Sequence, residues 1–197
     1  MDDDARYDLA LQKVLDVDVD GARTDLEALM RTARPKVARQ SGELAAQLMI
    51  LQSDWAALSA LAGTGSGTDF STIMAAAPVE TRQLPTETVT LPAPLSASGS
   101  PMVLATVNGV ERLFWIDTGA GMSVVASDLA ETAGVASLGA TLKVGTSTSQ
   151  EVSTMPGIID ELRVGPVRFD NHPALIIDKD ALTFDMGDQG QMKIDGI

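Results

Sequence analysis

The sequence predicts an α+β chain of two domains, helical first and mainly β second. Three observations carry this. Apolar residues recur at spacings of three and four through residues 5–62. A run of small, flexible residues, Gly63-Thr64-Gly65-Ser66-Gly67-Thr68, follows. Beyond it, short apolar stretches alternate with turn signals, of which Asn108-Gly109 is the strongest. The chain thus divides into an α-helical domain over 1–62, a linker over 63–83 and a β domain over 84–197.

In the helical domain, Leu9, Leu11, Val14 and Leu15 form a first apolar stripe, and Leu26, Leu29 and Met30 a second. Thr24-x-x-Glu27 has the form of a capping box opening the second helix. Arg34-Pro35 breaks or restarts the helix. Leu44, Leu48, Leu51, Trp55, Leu58 and Leu61 make a longer stripe, with Trp55 expected in the core. These short, alanine-rich helices resemble a helical-hairpin repeat of the tetratricopeptide type. No second copy occurs at a fixed period, so a plain helical bundle is the equal alternative.

Residues 69–84 are ambiguous, with Ile73 to Ala77 readable as helix before Pro78. Thr86 to Leu91 alternates polar and apolar and reads as the first strand of the β domain, followed by a Pro- and Ser-rich loop. Met102 to Val107 and Val110 to Ile116 read as a hairpin about Asn108-Gly109. Ala126 to Ala133 suits a short helix closed by Gly134. Leu142 to Gly145 and Met155 to Leu162 flank a polar segment, Thr146-Ser147-Thr148-Ser149-Gln150. Leu162 to Val164 and Ala174 to Ile177 read as later strands, joined through Gly165-Pro166 and Asn171-His172-Pro173.

Composition narrows the function. Lys and Arg number 14 against 27 Asp and Glu, a net charge of −13, which argues against nucleic acid or an anionic membrane surface as partner. No apolar run of 18 residues appears, so no membrane span is expected. Cysteine is absent, which removes disulfides and thiolate metal sites. The start, Met1-Asp2-Asp3-Asp4, is the opposite of a basic leader. A periplasmic or cell-envelope location, with a leader removed, is favoured over a cytoplasmic one.

The chemistry concentrates at Asp117-Thr118-Gly119-Ala120. An apolar run, Leu113-Phe114-Trp115-Ile116, delivers the Asp into a tight turn, and Ser123-Val124-Val125 leads out of it. A catalytic carboxylate benefits from this layout because it must be rigid, buried and close to a second carboxylate. Two carboxylates at close range cannot both ionise, so they share a proton.

Two other patterns compete. Asp16-Val17-Asp18-Val19-Asp20-Gly21, with Glu27 at the twelfth position, matches the EF-hand loop pattern. Arg23 at its eighth position opposes that reading, and the alternative is an acidic interhelical loop whose Thr24 and Glu27 cap the next helix. His172, the only histidine, precedes Pro173 and reads as a surface turn residue.

The order strand, Asn-Gly turn, strand, Asp-Thr-Gly-Ala, strand, short helix resembles the retropepsin family, single-lobe aspartic proteases that include bacterial members. The resemblance spans roughly the last 110 residues. It implies an acid-protease barrel, a peptide or protein substrate, no metal and no organic cofactor. Asp117 would be catalytic, Thr118 would brace the loop across a two-fold axis, Gly119 would permit the turn and Ala120 would line the cleft. Thr146, Ser147, Thr148 and Ser149 fall where the flap is expected.

The family also needs a segment that crosses behind the catalytic loop, and Ile194-Asp195-Gly196-Ile197 looks like its start. A C-terminally shortened lobe is therefore expected, with Lys179 to Lys193 as an insertion. Phe184-Asp185-Met186-Gly187 is a poor second catalytic loop and reads as a polar turn. One such loop per chain implies a homodimer built through the protease domain. The alternative is a non-catalytic peptide-binding or assembly module whose helical domain binds a partner.

Overall fold

The computed structural model describes residues 2–62, 70–145, 151–185, 187 and 190–197. The chain divides into two units, Met1–Gly65 and Ser66–Ile197.

The first unit holds α1 (Asp3–Leu15), α2 (Val19–Thr32), α3 (Pro35–Leu51) and α4 (Trp55–Ala62). Each helix packs on the next, and α1 also reaches α3. Pro35 is the first residue of α3, where its missing N–H costs nothing. Ala10, Ala22 and Ala45 are fully buried beside Leu26, Leu48 and Met49. The expected stripe of α1 is corrected: Leu9, Leu11 and Leu15 are exposed, and α1 turns Ala10, Tyr7 and Val14 inward. Small side chains at the crossings let the helices approach, which a search for large apolar residues misses. The expected capping box is corrected too. Asp18 caps α2 by accepting from Gly21 N–H, and Thr24 lies inside the helix, donating to the Asp20 carbonyl.

The second unit opens with α5 (Phe70–Ala75) and β1 (Thr81–Gln83), both within the stretch read as linker. Thr86 to Leu91, expected as a strand, is irregular and exposed except for half-buried Leu91. Flanking Pro85 and Pro92 withhold N–H groups from any ladder. There follow β2 (Met102–Val107), β3 (Val110–Trp115), β4 (Ser123–Ala126), α6 (Ser127–Thr132), β5 (Ala136–Ser137) and β6 (Leu142–Gly145). The unit continues with β7 (Glu151–Val164), β8 (Val167–Ile177), a short 3-10 helix (Lys179–Leu182), β9 (Thr183–Asp185) and β10 (Gln191–Lys193).

β7 and β8 form the spine, an antiparallel pair turning at Gly165-Pro166, where Gly165 supplies φ 57°. The other edge of β7 is taken in turn by β6, β5 and β2. The other edge of β8 is taken by β1 and, in parallel, by β4. β8 runs unbroken through Asn171-His172-Pro173, where the sequence suggests a connection between strands. The sheet follows the order β1-β8-β7-β2-β3 and, among the described residues, β3 does not pair back to β1. The unit is mainly β as expected, but the expected closed barrel is replaced by an open sheet. Its core gathers Val107, Phe114, Val125, Leu129, Ile159 and Ile176.

The β2–β3 turn has Asn108 at φ 46° and Gly109 at φ 86°, the two positive values of a type I′ turn. The Asn108 side chain also accepts from Glu161 N–H (2.9 Å) and donates to the Ala133 carbonyl (3.0 Å). It thereby ties β7 and the end of α6 to the hairpin. Asn108→Ala should leave both partly buried groups unpaired and cost about 1–3 kcal/mol. Urea unfolding of the β unit measures this.

Candidate active site

β3 carries Asp117 out of the sheet and β4 brings the chain back. Between them, Asp117 to Gly121 are all exposed. The turn is held from within: Asp117 Oδ1 accepts from Gly119 N–H at 2.8 Å, and the Asp117 carbonyl accepts from Ala120 N–H at 3.2 Å. One carboxylate oxygen is thus oriented by a backbone donor. The expected burial of Asp117 is corrected: the residue is exposed, and none of the described residues covers this turn. Thr118, Gly119 and Ala120 flank it as expected, and among the described residues the Thr118 hydroxyl has no partner within the chain. The expected flap residues, Thr146, Ser147, Thr148 and Ser149, lie outside the described residues.

Residues 195–197 pass between the two arms of this turn. Trp115 N–H donates to the Gly196 carbonyl (3.0 Å), at the outgoing arm. On the return arm, Val124 and Ile197 exchange both backbone bonds (2.9 Å each), and Ala126 N–H donates to the Asp195 carbonyl (2.9 Å). The segment expected to cross behind the catalytic loop therefore does so. Gly196 lies so close to the Phe114 ring that a Cβ there would overlap it.

The stretch read as an insertion supports this crossing. β9 and β10 pair, and Ile194 N–H donates to the Leu182 carbonyl (3.1 Å). Leu182, Ile194 and Ala126 form a second small core, against which Trp115, Phe184 and Ile197 pack. Trp115 stacks on Phe184 with ring centroids 5.0 Å apart, so Phe184 belongs to this core rather than to a polar turn. Trp115 packs as expected, although its indole N–H is buried without a partner among the described residues.

Charges fix the same segment from outside. Lys193 bonds Asp128 at the start of α6 and lies 3.7 Å from Asp195, which also lies 3.7 Å from Arg112 on β3. The bond to Lys193 holds the Asp128 carboxyl below its ordinary value, and the same bond raises Lys193.

The other sequence patterns resolve differently. α2 begins at Val19, so Asp20, Asp25 and Glu27 sit on a helix and no twelve-residue calcium loop forms. Asp20 accepts from Gln52, Asp25 pairs with Lys13, and Glu27 faces Arg23. Among the described residues, no group of three or more His, Asp or Glu could hold a metal ion. No described helix is long and apolar enough to cross a membrane. His172 is not a turn residue. It lies within β8, half-buried, bonded to Glu80 through Nδ1 (2.7 Å) and to Ser123 through Nε2 (3.0 Å). Neither partner was legible: Glu80 is 92 residues away in the chain and Ser123 is 49.

Residues 103–197 match the family model described as Aspartyl protease. No curated protein matches the chain. Among solved structures, the chain is similar to a retropepsin-like aspartic protease from Rickettsia conorii. That likeness has 19% identity and a TM-score of 0.35, over 50% of this chain and 67% of that one. The class defined by the Asp117 turn, its crossing segment and the family match is an aspartyl protease domain, a peptidase. The match falls on residues 103–197, and a helical unit precedes them.

Two predictions test the crossing segment. Gly196→Ala should cost about 1–3 kcal/mol or more through overlap with Phe114, read as a lowered Tm. The second concerns pH. Asp128, depressed in the folded state, contributes stability that is present above its ordinary value of 3.8 and lost as pH falls through its folded value. Lys193, raised, contributes below 10.5 and loses that as pH rises. The Ile197 amide resonance should therefore move in acid below 3.8 in the parent, and Asp128→Asn should remove that step.

Proposed function

We propose that the protein is an aspartic endopeptidase whose site is completed by two copies of the chain, each supplying Asp117. The observation that carries this is the Asp117 turn itself. It is locked on both arms, its carboxylate is oriented by Gly119 N–H, and residues 117–121 are exposed, which leaves them free to meet a second such turn. The chain contains one Asp-Thr-Gly sequence, so the second carboxylate comes from a second copy. The Thr118 hydroxyl, which has no partner among the described residues, suits a brace between the two turns.

In this reading the two Asp117 carboxyls hold one proton between them. The ionised one takes a proton from water as its oxygen attacks the carbonyl carbon of a peptide bond. The protonated one donates to the carbonyl oxygen. The tetrahedral intermediate then collapses, the C–N bond breaks and a proton passes to the leaving amine. Ala120, within the turn, lines the cleft, and its small side chain leaves room for an extended peptide. Activity should peak in mildly acidic solution and fall as both carboxyls ionise.

Cleavage of a peptide library across pH, with Asp117→Asn beside the parent, tests the reading. The variant should lose about 10²–10⁴-fold in kcat, and the active parent should sediment as a dimer. Equal cleavage by Asp117→Asn would refute it. A dimeric parent that cleaves nothing would favour a peptide-binding or assembly module instead.

A further inference from the structure

The edge of β8 that faces away from β7 changes partner midway. β1 pairs with Arg168 to Asp170, and β4 pairs with Ala174 to Ile177. Between these lie Asn171, His172 and Pro173. Asn171 sits at φ 55° and Pro173 has no N–H, so the backbone ladder does not continue across the gap. Side chains span it instead. Glu80 immediately precedes β1 and Ser123 opens β4, and His172 bonds both.

The geometry is tight and shielded. The Glu80 side chain is 2% exposed and that of His172 is 15% exposed. The second oxygen of Glu80 accepts from Arg82 (2.7 Å), and the Phe169 ring lies 5.2 Å from the imidazole. Asn171 donates to the Val79 carbonyl (3.2 Å), closing the same gap one residue away. With Glu80 ionised the carboxylate only accepts, and Nδ1 is then the donor of that bond. In the neutral ring, Nε2 then accepts from the Ser123 hydroxyl; in the charged ring it donates to the same oxygen. Both links survive either state, and only the direction of the second reverses.

Ser123 is the significant end of this chain of bonds. The return arm of the Asp117 turn is tied at Val124 by Ile197, and Ser123 stands one residue nearer the turn. It is thus the last anchored residue before the exposed segment. We propose that Glu80, His172 and Ser123 form a positioning relay that sets the return arm of the Asp117 turn and, through it, the place of the carboxylate.

This inference rests on the aspartic-protease reading. A hydroxyl, an imidazole and a carboxylate in this order also activate nucleophilic serines. Here, however, Ser123 is part of the β4–β8 ladder, and Asp117 already supplies the reacting group.

The test uses the full chain with Ser123→Ala, Ser123→Thr and His172→Gln. Ser123→Ala should lower kcat about ten- to a hundredfold, the scale of a small misplacement of a catalytic group. KM should change little, and Ser123→Thr should restore kcat. The Gly119 and Ala120 amide resonances should shift in Ser123→Ala and His172→Gln. The resonances of the sole imidazole should move in Ser123→Ala. Unshifted loop amides, unchanged kcat in an active parent, or a fluorophosphonate adduct on Ser123 would each overturn the relay. If Asp117→Asn cleaves like the parent, the protease reading fails, and the amide shifts still decide the relay.

Discussion

The Asp117 turn depends on one constraint, the passage of residues 195–197 between its two arms. A five-residue exposed turn has too much conformational freedom to place a carboxylate unaided, since each ordered residue costs about 1–2 kcal/mol of backbone entropy. Backbone bonds from Trp115, Val124 and Ala126 converge on the crossing segment, Ile197 N–H returns one to the Val124 carbonyl, and together they fix both ends of the turn. Each such bond contributes a net ~0.5–1.5 kcal/mol, but their placement matters more than their sum. They leave the turn few conformations, and the bond from Gly119 N–H to the carboxylate narrows these further.

That crossing imposes its own requirements on distant residues. Position 196 must lack a side chain because the Phe114 ring occupies the space. Ile194 must be apolar because it fills the second core with Leu182. The hairpin of β9 and β10 then does more than decorate the lobe, since it supplies Phe184 beneath Trp115, two residues from Asp117. The β7–β8 spine sets the other side by pairing β4 in parallel along β8. A carboxylate on a surface turn is thus positioned by two cores and a sheet.

Much of this was legible because it is local. The Asn108-Gly109 turn, the strands on either side of it and the Asp-Thr-Gly-Ala sequence are written in consecutive residues, whose φ demands and alternation are direct physical signals. Gly196 could be singled out only through the resemblance, for its reason, the Phe114 ring, lies 82 positions earlier in the numbering of the sequence. The Glu80–His172–Ser123 chain was hidden for the same cause: three elements meet at one seam, and no spacing encodes that. Thr86 to Leu91 shows the opposite failure. Its alternation was a strand signal, yet prolines on both sides left it without a ladder. In the helical unit, alanine burial misled the reading of α1, because apolar periodicity weighs large residues and helix crossings select small ones.

The charge of the chain bears on how a paired site would behave. Two copies at −13 each repel at neutral pH, most strongly at low ionic strength. Two Asp117 carboxylates brought to short range would add a local repulsion that solvent screens less well. Sharing one proton relieves the local term, and protonating surface carboxylates relieves the global one. Acid would therefore favour both association and the singly protonated pair of the proposed mechanism. The opposing effect is the loss of the Asp128–Lys193 bond, which secures the crossing segment and fails when Asp128 protonates. Because that bond holds Asp128 below its ordinary value, the lock outlasts the first protonations of unpaired surface carboxylates. The interval between those two events is where a dimeric site would be both assembled and rigid.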